Sequence, residues 1–322
     1  MLPIAAFDKE GFLRSLEDWS ASVALEIARA EDIELQDAHW QVIHCVRRYY
    51  REFDSSPAMR ALVDGATRAA KSKATILLRG ESGSGKGVIA EHVHRESDRS
   101  AGPYVYVNCV ALSDELIEST LFGHEKGAFT GAVARKAGRF EAANGGTAFL
   151  DEIGDISERL QTKLLHFLET GEFERVGGTQ TLSVDCRIVA ATNRDLEAAV
   201  RDGRFREDLL YRLNVITLQV PPLRERAGDI AFLAEHFLNR FTAELQRPGL
   251  EFAPETNEIL KAYHWPGNVR QMKNAVERMA VMAPTNVLTP DLLPPEVLRG
   301  DDPMGPAVSD KEGLLPLREA ET

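Results

Sequence analysis

The stretch "ATILLRGESGSGKGV", residues 74–88, restricts the fold more than any other part of the chain. A short β-branched, apolar run passes directly into glycines and a lysine, and then into residues of helical pattern. In a strand–loop–helix unit of this kind, Gly80, Gly83 and Gly85 let backbone N–H groups close around phosphate oxygens. The N-terminus of the helix, expected near Val88, adds positive potential, and Lys86 reaches the outer phosphates. Three further runs, "YVYVNC", "GGTAFLDE" and "CRIVAATN", repeat the strand form, separated by segments of helical length. Near-continuous apolar strands alternating with helices imply an α/β fold with a parallel sheet covered on both faces.

The Gly-x4-Gly-Lys spacing is met, but Gly87 stands where such loops usually carry a Ser or Thr hydroxyl for magnesium. Mg2+ then relies on waters, phosphates and a carboxylate further along. "TAFLDEIGD" ends its apolar run in Asp151 and Glu152, so two carboxylates emerge at the C-terminal end of a strand, where open α/β sheets bind ligands. Asp151 suits a magnesium ligand, and Glu152 suits a base that polarises the attacking water. "RIVAATN" ends in Thr192 and Asn193, polar groups placed to sense a γ-phosphate or orient water. "FREDLLYRLN" carries Arg206 and Arg212 on a helix or at its edge. Two readings stay open for this pair: a solvated helix face, or arginines lent to a neighbouring subunit, which implies a ring.

Between the second and third strands lies "GAFTGA", Gly127, Ala128, Phe129, Thr130, Gly131 and Ala132. An apolar ring and a hydroxyl between flexible glycines line no phosphate pocket and anchor no helix. Such a loop is built to touch another molecule.

The rest of the chain divides around this core. Apolar residues recur at helical spacing over 12–27 and 36–53, and Ser56 before Pro57 starts a third helix through Met59, Leu62 and Val63. After "VPPLRERAGDI" the strand signal stops, and helices are expected over Ile230 to Leu245, Pro254 to Tyr263 and Asn268 to Met282. From Arg299 the composition is that of a linker. Over 322 residues the net charge is −12, which would repel nucleic-acid phosphates unless a local basic patch intervened. "MLPIAAFDKEGF" has no basic leader and no apolar run reaches the ~18 residues of a membrane helix, so a cytoplasmic protein is expected. The three cysteines, Cys45, Cys109 and Cys186, show no paired spacing and sit among apolar neighbours, as packing residues do.

The span from about Ser56 to Leu298 resembles the AAA+ central domain of bacterial sigma-54-dependent transcriptional activators. The resemblance rests on "GESGSGKG", "NCVALSDELIESTLFGHEKGAFTGA", "GGTAFLDEIGD", "FREDLLYRLNVI", "PPLRERAGDI" and "WPGNVRQMKNAVER". In that family GAFTGA is the signature loop that contacts the sigma-54 factor. The resemblance implies an AAA+ P-loop NTPase core (61–224), a helical lid (225–298) and a flexible tail (299–322), working as an ATP-hydrolysing ring, a hexamer. It implies that Gly80, Glu81, Ser82, Gly83, Ser84, Gly85, Lys86, Gly87 and Val88 form the ATP loop, with Asp151 and Glu152 the Walker B pair. Asn108 would be the switch asparagine restraining Glu152, Arg206 and Arg212 the trans-acting fingers, and Arg270 the lid arginine. Where the family usually carries Glu, this chain has Gly87, which implies weakened hydrolysis.

Residues 1–60 resemble the DsrC/TusE sulfur-relay family through "FDKEGFLRSLEDWS" and the "HWQVIHCVRRYYREF" helix. That family carries persulfide on a cysteine of a C-terminal arm, and the resemblance stops near "SPAMRALV", ahead of any such arm. The segment reads as a small all-helical module for interaction or sensing, with a sulfur-relay partner as its expected docking mate; the bland reading is a helical cap. Activators of this family usually end in a helix-turn-helix, whereas the sequence given stops at "GLLPLREAET". DNA targeting is therefore expected from another protein, or is not needed, or belongs to a longer chain. The rival reading, a sulfur-relay module with a regulatory ATPase, predicts a cysteine arm; a general AAA+ chaperone would leave GAFTGA without a use.

Overall fold

The computed structural model describes residues 56–110 and 114–300. The chain enters through helix α1 (Pro57–Ala70), then strand β1 (Ile76–Arg79), helix α2 (Lys86–Arg95), strand β2 (Tyr104–Asn108) and helix α3 (Asp114–Phe122). A hairpin follows, β3 (Gly123–His124) with β4 (Lys136–Ala137), then the short helix α4 (Arg139–Ala142), strand β5 (Thr147–Asp151) and helix α5 (Glu158–Thr170). A second hairpin, β6 (Glu172–Glu174) with β7 (Thr181–Ser183), leads to strand β8 (Arg187–Thr192), helices α6 (Leu196–Arg201) and α7 (Glu207–Leu213), and strand β9 (Ile216–Gln219).

Strands β2, β5, β8, β1 and β9 pair in that order, every pairing parallel. Strand alternation splits the core as the sequence requires. Leu77, Val107, Leu150 and Ala190 face one side with Phe122, Leu164 and Leu209 from α3, α5 and α7. Ile76, Leu78, Phe149 and Val189 face the other with Leu62 and Ala66 from α1 and Ile89 and Val93 from α2. Each buried Val, Leu, Ile or Phe among them contributes about 1.5–3 kcal/mol. The α/β expectation therefore holds on both faces. Helix α2 starts at Lys86, slightly before Val88, because Gly85 takes a left-handed conformation (φ 108°) that turns the chain straight into the helix.

A buried arginine fastens α1 to the sheet. Arg187, the first residue of β8, donates to the carbonyls of Ala70 (2.6 Å) and Ala69 (2.8 Å) at the end of α1. These are carbonyls that a helix leaves without intrahelical partners. Burial pushes the Arg187 pKa below its ordinary value.

Beyond β9 a helical subdomain follows: α8 (Gly228–Glu244), α9 (Pro254–Ala262), α10 (Asn268–Met282) and α11 (Pro295–Arg299). It closes around its own core of Phe237, Leu260, Trp265, Met272, Val276 and Met279. The sequence reading of an end to strands needs one correction. Strands β10 (Glu251–Phe252) and β11 (Val287–Leu288) pair in parallel inside the subdomain, and two residues each are too few to show alternation. The helices expected over 12–27 and 36–53, Cys45, and the tail beyond 300 lie outside the described residues.

Candidate active site

The parallel sheet sends its chemistry to one edge. The loop after β1 curls through Gly80 to Gly85, and Lys86, almost fully buried, donates through Nζ to the carbonyls of Gly80 (3.0 Å) and Glu81 (3.2 Å). Next to it, β5 ends in Asp151 and Glu152, with Glu152 Oε1 3.7 Å from Lys86 Nζ. Glu152 holds φ 56°, a left-handed conformation uncommon for a side-chain-bearing residue. That turn aims its carboxylate at β8, where the Asn193 N–H donates to Oε2 (3.3 Å). Asp151 accepts from the Glu152 N–H (3.1 Å) and, on its other oxygen, from the Tyr106 hydroxyl (3.3 Å). Partial burial, followed by the Asp151 charge, pushes the Tyr106 pKa up, so the phenol stays a donor. Asn108 is the register partner of Asp151 across the β2–β5 ladder, and its Oδ1 accepts from the Val110 N–H (2.9 Å).

A cavity of about 410 Å³ opens over these groups, lined by Gly83, Gly85, Lys86, Gly87, Val88, Asp151 and Glu152 from the core and by Arg270 from α10. A larger cleft of about 830 Å³ shares Arg270 with it and includes Glu81, Ser82 and Asn193. The structure thus brings the phosphate loop, the acidic pair, Asn193 and Arg270 to one place. Ser84 is buried with its hydroxyl unbonded among the described residues. The Glu81 carboxylate turns outward to Arg224 and Asn268, and the Arg224 hydrogen bond holds it below the usual carboxylate range.

The donor set fits magnesium as the sequence reading framed it. Among the described residues no group of three or more His, Cys, Asp or Glu could form a dedicated metal cage. One strand-end carboxylate beside a phosphate loop is the arrangement in which Mg2+ keeps waters and phosphate oxygens as ligands. Gly87 is exposed, and a Cβ there would meet only the Phe149 ring at 3.7 Å.

Arg206 and Arg212 line neither space. Arg206 precedes α7 and pairs with Asp208 (2.7 Å), and Arg212, exposed, donates to the Leu168 carbonyl (3.0 and 3.1 Å). The GAFTGA residues stand apart as well, in the loop joining β3 to β4. Gly127 (φ 84°) and Gly131 (φ 109°) sit where side chains are disfavoured, and the Gly127 N–H donates to the Ala132 carbonyl (2.8 Å) to close the loop neck. Thr130 is exposed, Ala132 is buried, and Phe129 is half-buried with its ring edge-to-face against His124 at 5.1 Å. His124 Nδ1 in turn bonds the Ser119 hydroxyl at 2.7 Å. The β6–β7 turn supports the loop from below: Arg175 joins Glu125 (2.9 Å) and Glu141, and a Cβ on Gly177 would land 2.8 Å from the Ala128 Cβ.

Sequence reasoning missed Tyr106, Arg224, Asn268 and His124. Tyr106 had a local signal, since it points opposite to Val105 and Val107 along its strand. The others depend on partners distant in sequence.

Comparison with known families decides the affiliation, because residues 53–219 match the family described as Sigma-54 interaction domain. The chain belongs to this family. Residues 224–309 match the AAA+ ATPase lid domain, and residues 4–78 match the family described as DsrC like protein. The first and last of these matches overlap over residues 53–78, the stretch where the joint is expected. Curated relatives include the Nif-specific regulatory protein of Herbaspirillum seropedicae, 50% identical over 263 residues, covering 81% of this chain and 48% of the relative. Regulatory protein AtoC of Escherichia coli (strain K12) is 51% identical over 243 residues, covering 76% and 53%. The chain spans about half the length of these relatives. Among solved structures, NtrX from Brucella abortus in complex with ATP superposes with TM-score 0.69 at 34% identity, covering 87% of this chain and 65% of NtrX. Among the described residues no helix is long and apolar enough to cross a membrane.

Proposed function

We propose that the protein is an ATP-hydrolysing remodeller of sigma-54 RNA polymerase that acts as a ring, a hexamer. The observation that carries this reading is the combination, in one subunit, of a phosphate loop facing an acidic strand end with a glycine-hinged aromatic tip on a separate hairpin. ATP-bound NtrX at 34% identity supports ATP as the nucleotide. In this reading Lys86 and the N–H groups of residues 80–88 bind the phosphates, and Asp151 would hold Mg2+, which when bound would neutralise phosphate charge. Glu152 takes the proton of the attacking water, and Asn193 fixes the Glu152 carboxylate through its N–H. Asn108, paired directly with Asp151 across the ladder, restrains that base until the partner is engaged. Arg270 reads the nucleotide from the lid. Arg206 and Arg212, facing away from their own pocket, serve the next protomer.

Phe129 and Thr130 are the contact with sigma-54, and burying the ring on a partner contributes about 1.5–3 kcal/mol. Nucleotide turnover moves the hairpin that carries them. The DsrC-like segment is read as a docking module for a partner of the sulfur-relay type, supported by the match over residues 4–78. The test is sigma-54 binding by the full chain with an ATP transition-state mimic, with Thr130→Ala as control. Binding by the unmodified chain and loss in the variant are expected; no binding by the unmodified chain refutes the reading.

A further inference from the structure

The outer side of the phosphate loop is gripped, residue by residue, by the lid and the segment leading into it. Arg224 donates both terminal nitrogens to the Glu81 carboxylate (2.6 and 2.8 Å). Asn268 Nδ2 donates to Glu81 Oε2 (3.0 Å) and to the Ser82 carbonyl (3.2 Å). The Val269 N–H donates to the Gly83 carbonyl (3.0 Å), and Arg226, itself buried, donates to the Ser84 carbonyl. Four consecutive loop residues are therefore held from one side.

The peptide unit is planar and trans, so a carbonyl and the N–H that follows it point in opposite directions. Pulling the Ser82 and Ser84 carbonyls towards the lid turns the N–H groups of Gly83 and Gly85 away from it, as a phosphate cradle requires. Asn268 is built for this post. It is fully buried at φ 53°, a conformation asparagine tolerates, and its Oδ1 accepts from the Leu223 N–H (2.7 Å) while Nδ2 reaches the loop. The approach is close: a Cβ on Gly83 would lie 2.5 Å from the Gly267 carbonyl oxygen and 2.9 Å from the Arg270 Cβ. Glu81 also acquires a role that its place in the loop does not suggest. A free carboxylate there would repel phosphate, but Arg224 neutralises it and turns it into a strut.

Resting on the nucleotide reading above, we infer that the lid templates the phosphate loop. The seating of Arg224 and Asn268 on Glu81 to Ser84 and the loop's affinity for nucleotide phosphates form one coupled equilibrium. Arg224 and Asn268 are positioning residues that act through Glu81 and the loop backbone.

The experiment is a double-mutant cycle on the full chain with Glu81→Gln and Arg224→Ala, read by titration of a fluorescent ATP analogue and by amide hydrogen exchange over residues 81–85 without nucleotide. Each single variant is expected to weaken binding about two- to fivefold, the range for a forked pair at the surface, and the double variant to be no weaker than either, because both break the same strut. Exchange over 81–85 rises in both, and Arg224→Lys, which keeps the charge without the fork, recovers only part of the affinity. Single effects that multiply in the double variant, or exchange that stays flat, overturn the coupling while leaving the nucleotide reading standing. Failure of the unmodified chain to bind the analogue overturns the nucleotide reading and this coupling with it.

Discussion

Replacing His124 with alanine isolates the contact that holds the Phe129 ring against its own subunit. The rings meet edge-to-face at 5.1 Å and 71°, a geometry worth about 0.5–1.5 kcal/mol beyond area burial. Losing it raises the population of loops with Phe129 released by about 2- to 12-fold, since each 1.4 kcal/mol is a factor of ten. The substitution also strands the Ser119 hydroxyl, which is buried and bonded to His124 Nδ1, so the Ser119→Ala/His124→Ala double variant is the cleaner form. Limited chymotrypsin digestion reads the outcome, because cleavage after Phe129 needs the loop to open and its rate follows the open population when reclosing outpaces cutting. Tyr211, 72% exposed on α7, serves as an internal reference. A Phe129 cleavage rate that stays unchanged, or that rises only in step with cleavage at Tyr211, refutes the idea that His124 seats the tip.

Lys86→Ala is expected to abolish nucleotide binding and Glu152→Gln to bind ATP without turnover; calorimetry and phosphate release check the two, and normal turnover by Glu152→Gln would require another base. Mixing Arg212→Ala subunits with Lys86→Ala subunits restores part of the ATPase activity if the arginines act in trans, and an inert mixture counts against shared sites. Gly87→Glu is expected to gain about 0.5 kcal/mol in urea unfolding by removing a helical glycine from an open position, and a lower unfolding midpoint would show a hidden clash. Burial pushes the Cys109 and Cys186 thiols up to about 12, so at pH 8 roughly one in 10⁴ is thiolate and alkylation stays slow until denaturant is added. The sign follows from the raised pKa: both thiols favour the folded state below the ordinary cysteine range and lose that contribution as pH climbs towards 12.

What the sequence made legible was local. The glycine spacing before Lys86, the acid pair closing "TAFLDE" and the paired glycines of GAFTGA each depend on neighbours a few residues away. The strand pattern likewise placed both faces of the sheet. Arg224 and Asn268 escaped notice because their partner, Glu81, lies 143 and 187 residues away, a pairing that only the packed lid creates. His124 reads as one more polar residue until α3 supplies Ser119 and the loop folds back to supply Phe129. Gly177 belongs to a turn nearly fifty residues past Ala128, and nothing in "VGGTQT" says which backbone it must admit.

The Arg187 anchor has a mechanical consequence. Its fork grips the trailing end of the helix by which the polypeptide enters the ATPase core, and it sits on the strand that terminates at Thr192 and Asn193. Sliding the helix by one residue would take those two carbonyls out of register with a buried guanidinium, a costly change. The end of the entry helix and strand β8 are therefore pinned to one another through a charged group as well as through apolar packing.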